Sequence, residues 1–287
     1  MPLPYDPRGF QAWSEIVHDY SAASLTNFSD KLVALNGVAE RMKIQLNDEY
    51  FWGLWRNQLT ESLLWKVTRP ENAIPPQEHI APTWSWASIN GSSITPMPMT
   101  YPLPHTKLFE VVRGSQYKCG DVLDQNGLGA ELCLKGYLAT GVIYDSRYTR
   151  GAAVGYLSNF GVWTTSGFFN ELGKAFLDRD YYINISRLRQ DQTSSDIILM
   201  FPLIASYSSV SGLILEPHET LKAHYRRLGV FELCNKESIA QFWKSTPRIF
   251  RYEDDTVTQC YHVPSYDLDR DEYIRDSLVE LHIVTII

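Results

Sequence analysis

Ala81-Pro82-Thr83-Trp84-Ser85-Trp86-Ala87-Ser88-Ile89-Asn90-Gly91 is where this chain changes character. Large and small residues alternate at a period of two from Trp84 to Ile89. Asn90-Gly91 then supplies a hairpin-type turn signal, so the segment predicts a strand closed by a tight turn.

Upstream, the periodicity is helical. Phe10, Trp13, Val17 and Tyr20 recur every three or four residues behind a proline-rich entry. A second helix is predicted from Ser29 or Asp30 through Leu32, Leu35, Ala39 and Met42, with Gly37 inside it. A third is predicted from Glu49 to Trp65, on a face drawn by Phe51, Leu54, Trp55, Leu59 and Leu63. Arg69-Pro70 and Pro75-Pro76 then end helix formation, because proline lacks the amide donor and restricts the residue before it.

Downstream, strand-like runs dominate. They cover residues 108–112, 131–139, 142–144, 181–185, 197–203, 212–215, 228–233 and 279–287, interrupted by a short helix at 236–244. A proline-rich link at Pro96, Pro98, Pro102 and Pro104 reads as extended. Helices first and strands afterwards predict an α+β fold: N-terminal helices packed beside a mostly antiparallel, β-rich C-terminal part. The expected division is a helical subdomain over 1–80 and a β-rich one over 81–287, joined as one unit.

The chain has 287 residues, 44% apolar and 13% aromatic, enough to bury a core without disulfides or metal. Its net charge of −7 argues against nucleic-acid binding, since no positive field displaces phosphate counterions. The late acidic run, from Glu253 to Glu280, reads as a solvated segment. The start has no basic n-region and no apolar h-region. The longest apolar stretch, Ile197 to Ala205, is broken by Pro202 and is far short of the roughly 20 residues a bilayer span needs. Four isolated cysteines, Cys119, Cys133, Cys234 and Cys260, read as reduced thiols. The expected location is therefore cytoplasmic.

Signatures of common chemistries fail on inspection. There is no GxSxG elbow, P-loop or HExxH. Gly127-Leu128-Gly129 lacks the closing glycine of a dinucleotide loop. His218 and His224 are six residues apart, off metal spacing. Cys260-Tyr261-His262 places a thiol near an imidazole, but the sequence assigns them no joint role. What stands out is aromatic density: Trp52, Trp55, Trp65, Trp84 and Trp86, with Tyr50 and Phe51 beside them. Such a cluster builds a core, lines an apolar pocket, or divides its rings between the two.

The segments Trp13-Ser14-Glu15-Ile16-Val17, Asp30-Lys31-Leu32-Val33-Ala34-Leu35, Gly53-Leu54-Trp55, Leu63-Leu64-Trp65 and Ala81 to Ser88 occur in an order that resembles a known region. It is the region following the HET domain in fungal heterokaryon-incompatibility proteins. Lys135-Gly136, Gly212 to Leu215 and Tyr225 to Val230 resemble the β-rich tail of the same proteins. The resemblance spans nearly the whole chain, but the sequence begins about ten residues before Trp13. The effector activity of a HET domain is therefore not carried over.

Two functions follow from the resemblance. The leading expectation is a cofactor-independent cyclase or isomerase, a Diels-Alderase acting on a hydrophobic terpenoid of fungal secondary metabolism. It resembles the stand-alone HET-like [4+2] cyclases of sordarin-type, norbornene-forming pathways. Such a reaction needs a closed apolar chamber holding diene and dienophile together, and a hydrogen-bond donor at an activating carbonyl. Trp52, Trp55, Trp84 and Trp86 would shape the chamber, His79 and Tyr50 would donate, and Arg226 or Arg227 would bind a substrate carboxylate. Adjacent strand residues face opposite ways, so at most one arginine points inward; an ion pair with the acidic segment is the competing role. The partners expected are a hydrophobic small molecule, no nucleic acid and no membrane span, with no cofactor. The alternative is a non-catalytic recognition or interaction module of heterokaryon incompatibility.

Overall fold

The protein is described by a computed structural model. It covers residues 7–23, 28–74, 81–97, 106–112, 131–145, 160–164, 171–178, 197–206, 208–218, 220–221, 223–234, 236–245, 260–267 and 272–287. His79, the predicted strand at 181–185, Cys119 and most of the proline-rich link lie outside these residues.

Two long helices begin the fold, α1 (Pro7–Ala22) and α2 (Lys31–Leu46). Both follow the predicted stripes: Phe10, Trp13 and Val17 are buried from the first, Leu35, Ala39 and Met42 from the second. Asn47 ends α2 in the left-handed conformation that asparagine tolerates.

The third predicted helix is corrected. Residues 49–65 form a two-stranded hairpin, β1 (Tyr50–Phe51) and β2 (Leu54–Trp55), a 3-10 turn at Arg56–Gln58 and one helical turn, α3 (Leu59–Ser62). Trp52 and Gly53 have φ of 47° and 88°, the pattern of a primed two-residue hairpin turn that no helix admits.

The Trp-Ser-Trp segment is corrected as well. Instead of a strand it forms a 3-10 turn at Trp86–Ser88, whose amide at Ala87 donates to the Ser85 hydroxyl at 3.1 Å. Every residue from Trp84 to Asn90 is buried, large and small alike, because the segment follows a coiled path through the core.

The strands that follow are β3 (Lys66–Val67), β4 (Ile94–Thr95), β5 (Thr106–Lys107), β6 (Phe109–Val111), β7 (Leu132–Gly136), β8 (Ala139–Asp145) and β9 (Phe160–Thr164). Then come β10 (Glu171–Leu177), β11 (Ile197–Ala205), β12 (Val210–Pro217) and β13 (His224–Leu233). After helix α4 (Lys236–Ser245) come β14 (Cys260–Asp267), β15 (Glu272–Glu280) and β16 (His282–Ile286). Among the described residues ten strands form one sheet, antiparallel except where β13 meets β16. The acidic run read as a solvated segment contributes the hairpin β14–β15. The fold class is α+β, as expected.

The sheet branches at β13. Its C-terminal half pairs with β10, closing the ring β8-β9-β10-β13-β12-β11. Its N-terminal end pairs with β16, which leads on to β7 and β6. One core lies with this ring: Ile198, Met200, Ile214, Phe231 and Leu233 pack with Ile239, Phe242 and Trp243 of α4. The opposite sheet face presents Phe201, Leu203, Leu213, Leu215 and Val230 to the tryptophan layer, so a second core joins residues from both predicted subdomains.

Candidate functional site

The tryptophan layer is assembled on main-chain oxygens. The Gly53 carbonyl accepts two indole N–H bonds, from Trp13 at 3.2 Å and Trp86 at 2.9 Å. The Trp65 indole donates to the Trp84 carbonyl at 3.0 Å, and the Ser85 hydroxyl to the Trp52 carbonyl at 2.6 Å. The hairpin turn and the 3-10 turn are thus bolted together by the side chains of Ser85 and Trp86. Gly53 is required twice over, by its positive φ and because a Cβ there would strike the Trp86 indole nitrogen.

The sequence-predicted site residues divide sharply. Tyr50 is buried, 5.3 Å from Trp13 edge-to-face and 5.0 Å from Trp55. Trp55, Trp84 and Trp86 are each at most 2% exposed. Trp52 is buried in a left-handed conformation strained for so bulky a side chain.

Arg226 and Arg227 face opposite ways, as strand geometry demands. Arg226 is half-buried, with a guanidinium nitrogen 3.3 Å from His218 Nε2. Arg227 is buried against Asp178, which follows β10: Nε donates at 2.8 Å and a terminal nitrogen at 3.2 Å. Its terminal nitrogens also donate to the Leu63 and Trp65 carbonyls, and its plane lies 3.4 Å from the Trp65 ring centroid. Arg227 therefore joins the sheet to the tryptophan layer, and its ion-pair partner among the described residues is Asp178.

Sequence reasoning passed over Lys31. It is 2% exposed, at the start of α2. Its ammonium donates to the Ile89 carbonyl and to Asn90 Oδ1 at 3.3 Å, and stands 5.3 Å from the Trp86 ring centroid. Burial pushes its pKa down to about 8. The only sequence signal was a lysine beside the apolar stripe of α2, which ordinarily marks a snorkelling surface residue.

The tryptophans close on one another. The cavity they share with α1 and α3 is about 30 Å³, room for roughly two waters. It is lined by Phe10, Trp13, Trp55, Trp65, Trp86 and Met97, with Ser14, Gln58, Glu61 and Ser62 as its polar part. The aromatics are buried, whereas Ser14, Glu61, Ser62 and Pro96 are half-buried, so the slot opens on their side. Trp52 and Trp84 are not in its wall. As formed by the described residues, this slot is about a tenth or less of the roughly 300–1,000 Å³ that a drug-sized guest requires.

Among the described residues no helix is long and apolar enough to cross a membrane, and no three His, Cys, Asp or Glu side chains gather as metal ligands. Comparison of the chain with models of known protein families, with curated proteins and with solved structures finds no match.

Proposed function

We propose that this chain is a non-catalytic recognition module, the second of the two functions implied by its resemblance to the region after the HET domain. The observation that carries this reading is the tryptophan layer itself. The indole N–H groups of Trp13, Trp65 and Trp86 are turned onto main-chain carbonyls and Arg227 onto Asp178, leaving a half-open aromatic slot of about 30 Å³. A slot of that size accepts the end of one inserted side chain, and an anchor inserted into a pre-formed apolar recess is how recognition surfaces concentrate affinity.

The test pairs two measurements on the full chain. Terpenoid polyenes and extracts of the source cells are incubated with it and followed by mass spectrometry, where no product is expected. Cross-linking in the same cells compares the natural chain with Ser14→Phe and Ser62→Phe, two ways of plugging the slot from its half-buried side. A set of cross-linked proteins lost in both plugged variants supports the reading. Catalytic conversion of a polyene, or identical cross-links with the slot plugged, overturns it.

A further inference from the structure

Independently of the recognition reading, we propose that Asn90 is a self-modification site, whose side-chain amide is converted to a carboxylate that pairs with the Lys31 ammonium. Two faults meet there. Lys31 is a cation only 2% exposed. Its contacts among the described residues are the Ile89 carbonyl, Asn90 Oδ1 and the Trp86 ring, with no carboxylate among them. Asn90, equally buried, leaves its Nδ2 without a hydrogen-bond partner. A buried charge without a counter-charge and a buried donor without an acceptor each cost stability. Exchanging the amide for a carboxylate removes both, because a carboxylate only accepts and carries the missing charge.

The chain supplies the chemistry. Gly91 follows Asn90. Having no Cβ, it lets its main-chain nitrogen close on the neighbouring side-chain carbon with least hindrance. That nitrogen attacks Asn90 Cγ, the Cγ–Nδ2 bond breaks, and ammonia leaves with the proton given up by the Gly91 nitrogen. Water then opens the five-membered imide at Cγ, which restores the main chain and leaves aspartate at position 90. Gly91 is exposed, so water reaches the turn from its side. The balance is asparagine plus water to aspartate plus ammonia.

Lys31 decides where the imide opens. Opening at the main-chain carbon instead of Cγ gives isoaspartate, with the chain rerouted through the side chain. The main-chain oxygen of Asn90 holds a neutral donor, the Ile74 amide, at 2.8 Å. The side-chain oxygen holds the Lys31 ammonium at 3.3 Å. The longer bond is the charged one, and charged donors bind roughly twice as strongly as neutral ones. The ammonium therefore stabilises the oxyanion formed as the Gly91 nitrogen, and then water, adds to Cγ. Isoaspartate would also lengthen the chain beside Gly91, whose φ is 77° and where even a Cβ would meet the Asn72 carbonyl oxygen at 2.5 Å. In the unconverted chain burial holds the Lys31 pKa down to about 8, so it is still an ammonium at neutral pH, and the new carboxylate pulls that pKa back up.

The full chain is incubated in warm neutral buffer and followed by intact mass, peptide mapping and an isoaspartate assay. We expect ammonia to be exchanged for water at Asn90, with aspartate as the main product. Lys31→Met is expected to slow the conversion at least about ten-fold and to shift the product toward isoaspartate. Asn90→Asp, made directly, is expected to melt about 2–4 °C above the unconverted chain. That variant carries the test should Lys31→Met fail to fold. An asparagine that persists at position 90, or isoaspartate as the main product, overturns the proposal. So does a rate or product ratio indifferent to Lys31→Met, or a lower melting temperature for Asn90→Asp.

Discussion

The two cores of this protein solve the same packing problem with different materials. In the ring of β8 to β13 the interior is aliphatic and aromatic, filled from α4 by Ile239, Phe242 and Trp243. Across the sheet, the layer under α1 and α2 is dominated by tryptophan and threaded by polar groups: a buried arginine, a buried lysine and indole N–H bonds to a single carbonyl. An aliphatic core is tolerant, because any side chain of the right volume serves. A core held by directed hydrogen bonds is exacting, because each lost partner leaves a buried polar group unsatisfied. Exactness gives the tryptophan layer a fixed corner in which a slot can persist.

The largest expected break in this contrast is Arg227→Met. It leaves the Asp178 carboxylate and the carbonyls of Leu63 and Trp65 without their donor, and we expect a loss of about 3–5 kcal/mol in urea unfolding. Adding Asp178→Asn to that variant should recover a substantial part, since the stranded charge is gone. An additive double mutant would mean that the pair does not couple the two halves.

The next effect is a pH dependence confined to one core. Lys31 has a folded pKa of about 8, depressed by burial from an ordinary value near 10.5. Below the folded value both states are protonated and the burial cost is constant. Between about pH 8 and 10.5 the unfolded chain holds more proton, so stability rises with pH through that window. The gain is up to about 3 kcal/mol. Lys31→Met should remove this rise in denaturation profiles, whereas Phe242→Leu, in the other core, should leave the slope intact. A slope that survives Lys31→Met refutes the assignment.

The smallest effect sharpens the account of the central motif. Ser85 both caps the 3-10 turn and donates to the Trp52 carbonyl. Ser85→Ala should cost about 1–2 kcal/mol. Measured by chemical denaturation, Ser85→Thr should keep most of the stability because the hydroxyl remains; a threonine as damaging as alanine would show that volume matters there and hydrogen bonding does not.

Legibility in the sequence followed the range of the interactions. The stripes of α1 and α2 were readable because helical burial repeats every three or four residues along one segment. Strands β11, β12 and β13 were readable as β-rich runs for a similar reason. Residues 49–65 carried an apolar spacing that fits a helix, yet Gly53 and the Trp86 indole that seats against it enforce a turn. At Trp84 to Ile89 the alternation of large and small residues pointed to a strand, whereas the capped turn found there buries every one of these residues.

The candidate site was legible only as composition. Aromatic density pointed to the right layer, and Trp55 and Trp86 do line the slot. Phe10 and Trp13 entered only as a helix stripe, and Glu61 not at all, because a slot is made where separate segments converge.

What the order of residues by itself determined is the α+β class, the buried faces of the helices and the opposition of Arg226 to Arg227, since each depends on periods of a few residues along one segment. Only the tertiary structure decided that β13 serves two branches of one sheet, that Arg227 answers Asp178 across 49 positions, and that the Gly53 carbonyl draws indoles from 40 and 33 residues away. Those partners are set by the free energy of closing long loops against burial and hydrogen bonding, a balance no local window contains.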